Sequence, residues 1–127
     1  MVLYHVWFST KRRKWLLQGD VNEAAKELTV AVAKEKGIAL IECETMVDHV
    51  HLLVAAEDRA HLSSVMSLLK GATSRQLFRR FPDLKLDAGI NNFWQHRYAS
   101  KVVPEPAAAS VGSYIRTQWN RLAKYER

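Results

Sequence analysis

Two histidines separated by one residue stand in an apolar segment, residues 48–54 (DHVHLLV). Aliphatic and β-branched residues of this kind favour a β-strand, in which successive side chains point to opposite faces. His49 and His51 therefore share one face, whereas Val50 and Leu52 point the other way and can enter a core. Histidine is the commonest metal ligand in proteins, so the two imidazoles could converge on one cation. Surface histidines or two hydrogen-bonded histidines give the same pattern, and the pattern alone leaves these alternatives open.

The composition is that of a globular protein. The chain has 127 residues, of which 48% are hydrophobic and 25% charged, and we expect one folded domain over residues 1–127. No apolar run is long enough for a membrane span, and no secretory leader pattern opens the chain. The single cysteine, Cys43, cannot form an internal disulfide, which favours a reducing compartment and a cytoplasmic location.

The charge balance points to the kind of partner. Nineteen Lys and Arg residues against 13 Asp and Glu residues give a net charge of +6. In a small domain such an excess favours a polyanionic partner, without identifying it.

The elements that must position the histidines alternate between strand and helix patterns. Strands are predicted at residues 2–10, 38–46, 49–54 and 93–103, and helices at about 20–36, 59–81 and 105–125, with a loop at 83–92. Asp20 is the expected N-cap of the first helix and Gly37 its stop. This order predicts an α+β fold: a ferredoxin-like (RRM-like) antiparallel sheet with helices on one face, plus an added C-terminal helix.

Basic residues are concentrated in three places that could contact a nucleic acid backbone. They are Lys11, Arg12 and Arg13 beside a tryptophan, then Lys70, Arg75 and Arg79 on the second long helix, and Arg97 in the last strand pattern. The alternatives are a charged turn that protects a sheet edge and an ordinary solvated helix face, and the sequence does not choose between them.

Four further residues carry weaker indications. Asp48 could orient a histidine or serve the turn before it, and the turn role is the simpler one. Tyr114 and Gln118 lie four residues apart and share a face of the final helix, although two ordinary surface residues would show the same spacing. Gly112 is either a pivot near this tyrosine or a tolerated helix glycine.

Several segments taken together are more informative than any one of them. They are residues 4–7 (YHVW) before 11–13 (KRR), 46–53 (MVDHVHLL), 69–75 (LKGATSR), 93–98 (FWQHRY) and 114–118 (YIRTQ). In this order the segments resemble the single-tyrosine HUH transposases of the insertion-sequence 200/605 group, which include the REP-associated tyrosine transposases. The resemblance covers essentially the whole chain.

The resemblance implies a site and an activity. Tyr114 would be the nucleophile, on the C-terminal helix, and His49, His51 and Gln118 would hold a divalent metal, Mg²⁺ or Mn²⁺. The protein would cleave and rejoin single-stranded DNA at hairpin-marked element ends, through a 5′-phosphotyrosine, and it would act as a homodimer. This chemistry is reasonable because a neutral phenol is a weak nucleophile and a phosphodiester is a resistant electrophile, so both need activation.

Two other classes of function fit parts of the pattern. The first is a non-catalytic or domesticated nucleic-acid-binding protein on the same fold, since RRM-type sheets bind nucleic acids through side chains on their open face. The second is a small metal-dependent hydrolase built on the two histidines, for which the sequence shows no carboxylate with an obvious place beside them.

Overall fold

A four-stranded antiparallel sheet forms the centre of the computed structural model, which describes residues 1–118. The strand order is β2-β3-β1-β4, with β1 at Val2–Ser9, β2 at Ala39–Met46, β3 at His49–Ala56 and β4 at Ala99–Val103. Within these residues the α-helices are α1 (Gly19–Glu35), α2 (Arg59–Arg80), α3 (Leu84–Ala88) and α4 (Ala108–Arg116), with 3₁₀ turns at Lys11–Arg13 and Glu105–Ala107. The predicted α+β ferredoxin-like arrangement is confirmed.

One face of the sheet is covered by the two long helices. In β1 the side chains of Tyr4, Val6 and Phe8 are buried, and in β3 those of Val50 and Leu52 are buried with them. Helices α1 and α2 supply the opposing apolar side chains of this main core. The alternation of buried and less buried residues along both strands is what places the histidines of β3 on the other face.

The other face carries α4. Ile115 of α4 is 0% exposed and packs in a small second cluster with Leu53 of β3 and Val103 of β4. Arg116 adds an ion pair with Glu42 of β2. Because Leu53 lies two and four residues after the histidines, α4 docks on the face that carries them.

Several local predictions need correction. The pattern at residues 93–103 predicts one strand, but β4 begins only at Ala99, because Phe93 and Trp94 turn into the main core. Trp94 is fixed there by a 2.8 Å hydrogen bond from Nε1 to Thr73 Oγ1. The predicted loop at 83–92 contains the short helix α3.

The helix ends differ from their predictions in part. Asp20 lies inside the first turn of α1, and Gln18 is at the N-cap. Gly37, with a φ of 68°, follows the C-cap Lys36 as expected for a left-handed stop. The final helix is predicted to continue to about residue 125. The part of this prediction from residue 119 onward lies outside the described residues. In residues 1–118, no helix combines the length and the apolar character that a bilayer crossing needs.

We expect Ile115→Ala to loosen α4 from the sheet, because the substitution removes the apolar contacts with Leu53 and Val103. Truncating a fully buried isoleucine costs about 2–5 kcal/mol, so amide exchange in α4 is expected to rise on the order of 30-fold or more. Hydrogen exchange followed by mass spectrometry measures this. Ser110→Ala, an exposed position on the same helix, is the matched control, and equal exchange in the two variants would contradict the docking.

Candidate metal and tyrosine site

The two histidines of β3 lie side by side on the face that α4 covers in part. The ring centroids of His49 and His51 are 5.0 Å apart, with an angle of 81° between the ring planes. Metal–nitrogen bonds of roughly 2.1 Å at about right angles put two imidazole centres on the order of 5 Å apart. The spacing therefore suits two ligands of one cation.

Asp48 orients the first of these imidazoles. Its Oδ1 lies 2.8 Å from His49 Nδ1, and its Oδ2 lies 3.6 Å from Arg13 Nε. The Asp48 carbonyl oxygen also accepts a 2.9 Å hydrogen bond from the Thr10 N–H. Asp48 thus serves the link between β2 and β3 and also holds a histidine, which is more than the turn role favoured from the sequence.

The second imidazole has a partner to which the sequence analysis assigned no role. His5 Nε2 of β1 lies 2.9 Å from His51 Nδ1, and the two rings stack with centroids 5.2 Å apart. The strand alternation of β1 contained this information, because His5 falls between the core residues Tyr4 and Val6 and must face the histidine side.

Burial favours the neutral form of His51 and His5. The pKa of His51 is lowered to about 4, by burial first and then by the nearby His49 and His5. The pKa of His5 is also lowered, by burial first and then by Lys101. Neutral imidazole is the form that binds metal ions, so the environment suits that use at neutral pH.

Tyr114 stands beside the imidazoles of its own chain. Its ring centroid is 6.2 Å from that of His51 and 6.1 Å from that of His5, with edge-to-face geometry in both cases. The residue is 40% exposed, so one side of the ring is open to solvent. The docking of α4 through Ile115 is what places it there.

Gln118, the third predicted metal ligand, is held by a contact with Tyr114. Its side chain is 8% exposed, and its Nε2 donates a 2.9 Å hydrogen bond to the Tyr114 carbonyl oxygen. Within residues 1–118, no hydrogen bond joins its side chain to His49 or His51. Within residues 1–118, no three His, Cys, Asp or Glu side chains are arranged to hold an ion.

A carboxylate does lie near the histidines, but it has other partners. Glu44 of β2 is paired with His51 in the sheet register. Its oxygens lie 3.2 and 3.3 Å from Lys26 Nζ, and one of them accepts from the Thr45 N–H. Glu44 is therefore engaged by a lysine at the edge of the sheet, and this favours a structural role for it over metal binding.

A groove of about 530 Å³ opens next to the histidine pair. Its lining comprises Trp7, Phe8, Ser9, Arg13, His49, His51, Gln95, Arg97, Tyr98 and Ala99. Trp7 is 37% exposed, so a flat ring, two guanidinium groups and the imidazoles border the same space. Of the predicted nucleic-acid contacts, Arg13 and Arg97 are the ones that line it.

The other predicted cations have different surroundings. Lys70 Nζ donates to the carbonyl oxygens of residues 95, 96 and 97 at 2.6, 3.2 and 3.2 Å, and burial lowers its pKa to about 8. Lys70 thus holds the loop that presents Arg97. Lys11 borders a second cavity of about 600 Å³ beside this loop, and the Arg12 backbone N–H donates to Gln95 Oε1 at 3.2 Å. Arg75 and Arg79 are exposed on α2.

Known proteins match the chain over nearly its full length. The family model described as "Transposase IS200 like" matches residues 1–118. The ISDra2 transposase TnpA of Deinococcus radiodurans is 32% identical over 118 residues, covering 93% of this chain and 84% of that protein. The transposase for insertion sequence element IS200 of Salmonella typhimurium is 30% identical over 115 residues, covering 91% of this chain and 75% of that protein.

Solved structures give the same assignment. A transposase from Deinococcus radiodurans superimposes with a TM-score of 0.72 at 33% identity, covering 91% of this chain and 89% of that one. A REP-associated tyrosine transposase bound to a REP hairpin shares the fold, with a TM-score of 0.62 at 15% identity, covering 91% and 65%. The resemblance seen in the sequence is confirmed: the chain belongs to the IS200-like transposase family.

Proposed function

We propose that the protein cleaves and rejoins single-stranded DNA through a covalent 5′-phosphotyrosine on Tyr114. The observation that carries the proposal is the 6.2 Å separation between the rings of Tyr114 and His51 within one chain. Membership of the transposase family supports the reaction class. The groove beside the same residues offers a place for the strand.

The phenol would act on a phosphodiester of the bound strand. A bond forms between Tyr114 Oη and phosphorus while the bond between phosphorus and the 3′ oxygen breaks. The phenol gives up its proton and the departing oxygen takes one up, so the products are a 5′-phosphotyrosine and a free 3′-OH. Because the covalent link conserves the phosphoester, a different 3′-OH can attack it and rejoin the strand without ATP.

The residues around the tyrosine suit a divalent cation, Mg²⁺ or Mn²⁺. His49 and His51 would hold it through Nε2, since their Nδ1 atoms are engaged by Asp48 and His5, and Gln118 would be the third protein ligand. When bound, the cation would neutralise charge on the phosphate oxygens. Imidazole and amide ligands without cysteine fit such ions better than they fit a closed structural zinc site.

The groove would hold the strand next to this site. Arg13 and Arg97 can pair with backbone phosphates, and the exposed ring of Trp7 offers a surface on which a base can stack. The net charge of +6 favours the approach of DNA from solution.

The proposal extends to two partners. One is DNA with a hairpin next to the single strand, since a protein of the same fold is bound to a REP hairpin.

The other proposed partner is a second copy of this chain. Among the described residues β4 pairs with β1 alone, and Val102 on it is 43% exposed, so an edge for strand pairing is open. Light scattering at micromolar concentration tests the homodimer.

Tyr114→Phe is expected to abolish the covalent adduct, because it removes the attacking oxygen and keeps the ring. The assay incubates labelled single-stranded DNA with the protein and Mn²⁺ and resolves the products on a denaturing gel. Binding of the same DNA, measured by fluorescence anisotropy, is expected to stay within about twofold, since the substitution removes no phosphate contact.

Tyr4→Phe is the matched control, because Tyr4 is buried in the main core on the opposite face of the sheet. An adduct that persists in Tyr114→Phe would exclude Tyr114 as the nucleophile. DNA binding by the unmodified protein without any adduct, and without a response to Mn²⁺, would instead favour the non-catalytic nucleic-acid-binding alternative.

Arg97→Gln is expected to weaken binding of hairpin-free single-stranded DNA about fivefold and to lower the slope of log affinity against log salt by about one. Arg75→Gln removes an equally exposed arginine from α2, outside the groove lining, and serves as the control. Anisotropy titrations at three salt concentrations separate the two. Equal losses in both variants would mean that the strand does not follow the groove.

A further inference from the structure

His5 contacts the site from β1, and the proposed reaction gives it no step of its own. Its Nε2 is 2.9 Å from His51 Nδ1 and its ring stacks on that of His51 at 28°. The ring of Trp7 also lies close to that of His5, at 4.9 Å centroid to centroid. The imidazole thus contacts two rings, with its Nε2 directed at one nitrogen of His51.

The hydrogen bond between the two imidazoles has a direction that metal binding would fix. A neutral imidazole carries one proton, on Nδ1 or on Nε2, and a nitrogen that binds a cation must be free of it. If His51 binds through Nε2, its proton is on Nδ1 and donates to His5 Nε2. His5 must then carry its own proton on Nδ1, so a single tautomer of the pair is compatible with metal binding.

The same arrangement recurs at the neighbouring ligand. Asp48 Oδ1 lies 2.8 Å from His49 Nδ1, and a carboxylate can only accept, so it also selects the Nδ1-protonated form. The Nδ1 atom of each histidine in the pair therefore faces a hydrogen-bond acceptor. Partners of this kind orient metal-binding histidines, and their loss typically lowers metal affinity 10–100-fold.

A role for His5 as a third metal ligand fits the geometry less well. Its Nε2 is occupied by His51, and within residues 1–118 no trio of His, Cys, Asp or Glu is arranged around a common point. The contacts between His5 and His51 instead support a role in positioning His51.

We propose that His5 is a positioning residue, which holds His51 in its Nδ1-protonated tautomer and thereby sets the affinity of the His49–His51 pair for a divalent cation. This rests on the proposed function, because it takes those two histidines as the metal ligands. It adds a residue from β1 whose contribution is made through His51 and not through the cation or the DNA.

The test measures Mn²⁺ binding to the full-length protein without DNA, by the electron paramagnetic resonance signal of the free ion. His5→Phe keeps a ring and loses the acceptor, and we expect 10–100-fold weaker binding. His5→Gln places an amide oxygen near the original Nε2, and we expect it to recover most of the affinity. His61→Gln, on α2, is the control and should leave the affinity unchanged.

A second readout is independent of the metal. Long-range ¹H–¹⁵N spectra of the imidazoles are expected to show His51 protonated on Nδ1 in the wild type and in His5→Gln. In His5→Phe we expect a substantial population protonated on Nε2. Thermal unfolding of the metal-free variants separates these effects from a general loss of stability.

The outcomes distinguish this inference from the function on which it rests. Mn²⁺ affinity that is lost in His51→Ala but unchanged in His5→Phe would overturn the role of His5 and leave the metal site intact. The same holds if His5→Phe alters the unfolding temperature alone. No Mn²⁺ binding by the wild type would overturn the metal assignment itself, and with it this role.

Discussion

The burial of β3 on both of its faces is the constraint on which the rest of the structure depends. Val50 and Leu52 fill the main core under α1 and α2, while Leu53 lies in the smaller cluster under α4. A register slip of one residue would send every one of these side chains to the wrong side. The same period of two that places the apolar residues also fixes both histidines on the α4 face, so folding and site assembly share one cause.

Electrostatics at the site follow from this placement. The imidazoles are partly removed from water by the sheet and by α4, and the pKa of His51 falls to about 4 mainly for that reason. Ring nitrogens that are partly removed from water need hydrogen-bond partners, and Asp48 and His5 supply them. A polar network of this kind restricts each ring to one orientation, whereas solvated histidines at the same positions would sample several.

Much of this was accessible from the sequence, for identifiable reasons. The shared face of His49 and His51 follows from strand periodicity, and the order of elements gave the sheet and its helices. The irregular path of residues 93–98 was missed because Phe93 and Trp94 have strand-type composition, while tertiary packing against α2 decides their conformation. Lys70 holds the loop through the carbonyl groups of residues 95–97, which come close to Lys70 only after folding. The role of His5 was missed for a related reason: strand alternation puts its side chain on the histidine face, but its contact with His51 forms only when β1 pairs with β3.

The ion pair between Arg13 and Asp48 has a consequence for how ligands of the groove and ligands of the histidine pair would affect each other. Arg13 borders the groove, and Asp48 holds the imidazole of His49. An anion that recruits the guanidinium changes the electrostatic field at the carboxylate that orients the ring. Couplings between binding sites are reciprocal. A ligand of the His49 ring must therefore change the affinity of the anion by the same factor by which the anion changes the affinity of that ligand. A single arginine would in this way make the occupants of the groove and of the histidine pair interdependent.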